Sequence, residues 1–116
     1  MMEFIENELL RIFVGEQSKL HHRPLYEVIV DEALKQGLAG ATVIKGVLSF
    51  GHHHRVHTTK ILELSGNLPM VVEIVDGREK IERFLPEVER IVRESSAKVL
   101  VTREKVRRCT ISGGTV

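Results

Sequence analysis

The sequence predicts an α+β sandwich in the chain order βαββαβ: a four-stranded antiparallel sheet with two helices on one face. Three observations predict it. Two segments, near residues 24–36 and 79–92, repeat apolar residues at helical spacing. Four other segments are short, apolar and rich in β-branched residues. Turn residues separate them, with no internal repeat, long linker or low-complexity tract.

Leu9-Leu10-Arg11-Ile12-Phe13-Val14, closed by Gly15, reads as the first strand. Glu16 to Arg23 is polar loop. Pro24 suits the first position of a helix, where its missing N–H costs nothing. Leu25, Ile29 and Ala33 recur every four residues, and Gly37 ends the pattern as a C-terminal cap. Ala41 to Phe50 reads as the second strand. Lys60 to Leu64 forms a short strand before the turn Ser65-Gly66-Asn67. Met70 to Val75 is the third main strand. Asp76 and Glu79 have the spacing of an N-cap and its reciprocal partner. Ile81, Phe84, Leu85, Val88, Ile91 and Val92 make the second helical stripe, which continues across Pro86 and predicts one kinked helix. Val99-Leu100-Val101 is the last strand. The two stripes fit one face of the sheet, which makes the fold a ferredoxin-like sandwich. The expected organisation is one domain over residues 1–116, with its core at about 9–103 and a basic, then flexible tail at 104–116.

Strand side chains alternate between faces. Leu10, Ile12 and Val14 then share the helix side with Ile44, Leu48, Val72 and Ile74. Leu9, Phe13, Val43, Val47, Val71 and Val75 are left on the other face, around Arg11, Lys45 and Glu73. That apolar patch is too continuous for a soluble monomer and predicts a homo-oligomer that buries it.

Composition excludes several classes. Lys+Arg is 17 and Asp+Glu 16, a net charge of +1, without the cationic excess of a dedicated nucleic-acid binder. Trp is absent and Phe and Tyr number four and one, so no base-stacking platform is expected. A single cysteine, Cys109, forms neither an internal disulfide nor a multi-Cys zinc site. No apolar run reaches the roughly 18 residues that span a bilayer. The segment Met1 to Glu8 is acidic, unlike a signal peptide, and the expected location is the cytoplasm.

Four of the six histidines fall within Gly51-His52-His53-His54-Arg55-Val56-His57. Imidazoles bind Zn²⁺, Cu²⁺ and Ni²⁺, so His52, His53, His54 and His57 are one candidate site; a solvated loop is the plainer reading. Arg55, His57, Thr58, Thr59 and Lys60 also form a donor-rich loop suited to phosphate oxygens. Gly40-Ala41-Thr42 and Lys45-Gly46 flank it through the second strand, and glycine lets a ligand approach the backbone. No Walker-type sequence is present. Lys98, Arg103, Lys105, Arg107 and Arg108 either grip phosphates or form a solvated edge that discourages strand pairing. No general base accompanies Cys109, and no constellation marks an enzyme.

Arg23-Pro24-Leu25-Tyr26-Glu27, Gly37-Leu38-Ala39-Gly40-Ala41-Thr42-Val43, Phe50-Gly51, Ile61-Leu62, Leu64-Ser65, Leu68-Pro69, Glu73-Ile74-Val75-Asp76 and Phe84-Leu85-Pro86 form a specific combination. It resembles the uncharacterised PII-like family, which is similar to nitrogen-regulatory PII signalling proteins, over about Leu9 to Val101. The resemblance implies a ferredoxin-like trimer that binds an adenine nucleotide (ADP, ATP or AMP, with Mg²⁺ as an optional companion) between subunits, and no redox cofactor. The PII effector loop corresponds to about Phe50 to Lys60. Gly40, Ala41 and Thr42 resemble the PII segment that lies against the nucleotide. Lys45-Gly46 and Phe50-Gly51 both resemble parts of the Gly-Phe-Gly stretch before the loop. Arg55, His57 and Thr58 then join the site from the loop. Arg107 and Arg108 lie near the PII phosphate-binding arginines, although PII spaces its pair by one residue. Ser95-Ser96-Ala97-Lys98 stands where PII has Gly-Asp-Gly-Lys, and the modified loop tyrosine has no counterpart. The implied partner is an effector protein, with a membrane ion exporter, fluoride in particular, as the family-level hint. Trimeric copper-tolerance proteins share this fold and bind metal, which makes the histidine site the alternative function.

Overall fold

Alternating apolar residues extend the first strand, β1, over Ile5–Gly15 in the computed structural model, which describes residues 2–49, 57–58 and 68–114. Two-residue strands β2 (Lys19–Leu20) and β3 (Arg23–Pro24) pair ahead of helix α1 (Leu25–Lys35). Strands β4 (Thr42–Lys45), β5 (Leu48–Ser49), β6 (His57–Thr58) and β7 (Pro69–Asp76) follow, then helix α2 (Arg78–Ser95) and β8 (Leu100–Arg108). The main sheet has the order β4-β7-β1-β8, antiparallel at every step. Both helices pack on one of its faces, as the ferredoxin-like sandwich requires.

Leu10, Ile12 and Val14 of β1 and Val72 and Ile74 of β7 supply the sheet side of the core. Leu25, Ile29 and Ala33 of α1 and Ile81, Phe84, Val88 and Ile91 of α2 close over them. Gly37 adopts φ +74, the left-handed conformation of a helix terminator. The Leu38 N–H donates to the Ala33 carbonyl and the Gly37 N–H to the Leu34 carbonyl, each at 3.1 Å. This double closure satisfies carbonyls that the helix end would leave unpaired. Helix α2 passes through Pro86 without interruption. The buried residues on both sides of Pro86 hold the axis together against the lost backbone bond.

Several boundaries differ from expectation. The second strand stops at Lys45 and resumes as β5, which pairs with β6 instead of β7. Strand β7 begins at Pro69, so the main sheet offers no further backbone partner. Within β4 the faces are reversed: Val43 sits opposite Val72 and packs on the core, while Ile44 sits opposite Val71 and is exposed. Strand register decides this. Asp76 does not cap α2, whose N-cap is Gly77 with no side-chain cap bond. Pro24, expected just inside α1, precedes it as the N-cap. The last strand runs on to Arg108, because β1 begins at Ile5 and supplies backbone partners as far as the Ile5–Arg108 pair. The expected strand 60–64 and turn 65–67 lie outside the described residues.

Gly46 marks the break between β4 and β5. Its N–H donates to the Pro69 carbonyl at 2.8 Å, and a Cβ there would stand 2.6 Å from Pro69 Cγ. Gly46→Ala is therefore expected to cost about 1–3 kcal/mol by overpacking. Denaturant unfolding measures the loss, and an unchanged midpoint would show that the Pro69 ring yields freely.

Candidate functional site

The expected nucleotide residues occupy two places. Gly40, Ala41 and Thr42 enter β4, and Lys45 and Gly46 leave it, all on one outer strand of the sheet. Arg107 and Arg108 end β8, the opposite outer strand. Three strand spacings, about 14 Å, separate these edges. Along the strands, Thr42 is level with Thr102 through Glu73 and Arg11. Arg108 lies about 20 Å further on at the strand rise. One copy therefore does not bring Thr42 and Arg108 onto a single mononucleotide. Phe50, Gly51, Arg55 and His52 to His54 lie outside the described residues, and His57 and Thr58 are described only as strand β6. Among the described residues, no three His, Cys, Asp or Glu side chains converge as metal ligands.

Asp76 supports the β4 entrance. Its Oδ2 accepts the Ala39 N–H at 2.8 Å and its Oδ1 accepts the Gly77 N–H at 2.7 Å. Lys80 Nζ donates to the Gly37 carbonyl at 3.1 Å. The turn before Gly40 is thus tied to the first residues of α2. At the β4 exit, Lys45 Nζ meets Glu16 Oε2 at 2.9 Å, which occupies the lysine within its own chain.

Arg107 and Arg108 project to opposite faces of β8, as neighbours on a strand must. Arg108 bonds to Asn7 Oδ1 and Thr110 Oγ1. Arg107 lies over the Phe4 ring at 5.9 Å, a cation–π contact. Arg103 meets Glu8 at 2.6 Å and Glu82 at 3.2 Å. Its hydrogen bond and charge hold the Glu82 carboxyl below the usual carboxylate range.

The sheet face away from the helices is unpartnered. Leu9 and Val75 face each other across one ladder, and Phe13 stands between Val71 and Leu100. Ile44 and Leu100 are about half exposed, at 48% and 53%. Through the middle runs a charged rung: Arg11 Nε meets Glu73 at 2.8 Å, and a second guanidinium nitrogen meets Glu104 at 2.7 Å. The expected patch is present on β1 and β7, but on β4 Ile44 takes the place of Val43, Lys45 stands opposite Met70 on the helix-side face, and Val47 lies beyond the end of the strand. Among the described residues, no helix is long and apolar enough to cross a membrane.

Residues 7–108 match the model of the family described as "DUF190: Uncharacterized ACR, COG1993". The chain belongs to DUF190. The DUF190 match runs from Asn7 to Arg108, two residues that bond to each other, and so spans every candidate position above. A UPF0166 protein of Aquifex aeolicus is 38% identical over 87 residues, 75% of this chain and 83% of that one. A UPF0166 protein of Methanocaldococcus jannaschii is 33% identical over 91 residues, 78% and 83% of the two chains. Among solved structures, the DUF190 chain is similar to CPII of Thiomonas intermedia K12, a nitrogen regulatory PII-like protein bound to ADP, AMP and bicarbonate. The TM-score is 0.70 at 12% identity, covering 93% and 92% of the chains. A PII-like signalling protein from Thermus thermophilus aligns with TM-score 0.63 and 16% identity over 92% of each chain. At these identities the likeness is one of fold: this DUF190 chain folds as the PII-like proteins do.

Proposed function

We propose that this DUF190 chain is a non-enzymatic signalling protein that binds an adenine nucleotide, ADP, ATP or AMP, in the clefts of a homotrimer. One observation carries the reading: the residues expected to hold the ligand are divided between the two outer strands, β4 and β8. A closed head-to-tail ring brings the β4 edge of one copy to the β8 edge of the next. The same ring gives the open faces, with Leu9, Phe13, Val71 and Val75, a place to be buried. The nucleotides bound to CPII support the ligand class. In this reading the protein works in the cytoplasm, and the 50–60 segment, with Arg55 and His57, touches an effector such as an ion exporter. The nucleotide acts as a signal by preferring one conformation of that segment.

Ligand-dependent melting tests the reading. ADP or ATP at a hundred times its Kd is expected to add about 2.7 kcal/mol to the folded state by mass action. That raises the melting temperature by several degrees. No shift with any adenine nucleotide, with or without Mg²⁺, overturns the reading.

A further inference from the structure

Both helices carry apolar residues beyond those that close the core. On α1 the core stripe is Leu25, Ile29 and Ala33, and one residue later runs a second stripe, Tyr26, Val30 and Leu34. Tyr26 and Val30 are half-buried, and Leu34, 78% exposed, is the most exposed large apolar side chain among the described residues. On α2 the core stripe is Ile81, Phe84, Val88 and Ile91, and the same offset gives Leu85 and Val92. These two, with Pro86 and with Val99 and Val101 at the head of β8, line a groove of about 510 Å³ along the β8 edge.

The topology points the two second stripes in opposite directions. β1 and β4 are parallel, with β7 between them; β7 and β8 are parallel, with β1 between them. Parallel strands are joined by right-handed crossovers. In such a crossover a right-handed helix turns the residue after each core position toward the strand that comes next. Leu85 and Val92 therefore reach past the β8 edge, where the groove lies. By the same rule Tyr26, Val30 and Leu34 reach past the β4 edge, at the opposite side of the molecule.

The widths of the two layers make these faces partners. Four strands about 4.8 Å apart span about 19 Å, the width of two helices packed about 8–10 Å apart. Where the β8 edge of one copy meets the β4 edge of the next, the next copy's α1 stands one helix spacing from α2, over the groove. Charge permits the contact. Glu82 and Glu89 at the groove are paired with Arg103 and Arg93. Glu27 and Asp31 beside the α1 stripe are paired with Arg23. Neither face brings an unpaired carboxylate to be buried.

We propose that the groove between α2 and β8 receives the Tyr26–Val30–Leu34 stripe of a second copy, so that a helix-to-helix contact covers each joint between sheet edges. The contact deepens the ring of the proposed function and rests on it; it does not depend on the ligand.

Cysteine cross-linking tests the contact in the full chain carrying Cys109→Ser. Leu34→Cys and Val101→Cys together are expected to give, on oxidation, linked chains up to three and no more on a non-reducing gel, because a closed ring of three contains three such contacts. Each cysteine alone is expected to give none. Leu34→Asp, at an exposed position, is expected to keep its helix content and to weaken association about tenfold or more, read as a lower mass by light scattering on dilution. A double variant that does not link, in a protein of threefold mass, overturns the contact and leaves the trimer standing. Linking in Leu34→Cys alone shows two copies meeting α1 to α1 and overturns it as well, as does an unchanged mass of Leu34→Asp on dilution. A monomeric mass of the unaltered protein overturns contact and ring together, while the melting shift with ADP decides the ligand separately.

Discussion

Phe84→Ala is expected to destabilise the fold by about 3–5 kcal/mol, the range for removing a large aromatic side chain from a packed core. Phe84 is fully buried and belongs to the cluster in which Leu10, Ile12, Val72 and Ile74 of the sheet meet Leu25 and Ile29 of α1. It lies two residues before Pro86, at the point where α2 lacks a backbone bond and relies on its buried face. The cavity left by alanine removes that support from both sides of the proline. Stability of a domain this size is of order 5–15 kcal/mol, so the variant is expected near the edge of folding at 37 °C. Denaturant unfolding with an unchanged slope measures the loss. A loss below about 1 kcal/mol would show that neighbouring side chains refill the space and that α2 is held by other contacts.

Phe13→Glu is expected to leave a folded monomer. Phe13 is half-buried on the open face between Val71 and Leu100. A carboxylate there meets water in the isolated chain at little cost. Between copies it is buried without a cation, because Arg11 already holds Glu73 and Glu104. Burying an unpaired charge is far more costly than the association can offset. Light scattering is expected to give a threefold lower mass than the unaltered protein. ADP affinity is expected to fall with it, because the β4 and β8 edges no longer meet. A variant that keeps the mass of the unaltered protein would place its interface elsewhere. A variant that loses the assembly but binds ADP as before would put the ligand inside one copy.

Legibility from the sequence followed the range of the interactions. Leu25, Ile29 and Ala33, and Ile81, Phe84, Val88 and Ile91, announce their helices by spacing alone, and all seven are buried. Gly37 announces the end of α1 because no other residue adopts that backbone angle as cheaply. Asp76 misled for a related reason. The spacing to Glu79 is that of a capping pair, but the carboxylate has a better-placed donor in Ala39, thirty-seven residues away in the chain.

By itself, the sequence determined the order of elements, the apolar faces of both helices and of β1 and β7, and the presence of an unpartnered sheet face. These depend on periodicity within a few residues, which the backbone geometry of helix and strand translates directly into a face. Tertiary structure alone decided the inward turn of Val43, the extent of β8, the separation of Arg107 from Arg108 and the division of the candidate ligand residues between two edges. Each of these depends on which residue of one strand stands opposite which residue of another. That register is set by cross-strand packing and hydrogen bonding between distant segments, and a shift of one residue reverses every face along the strand.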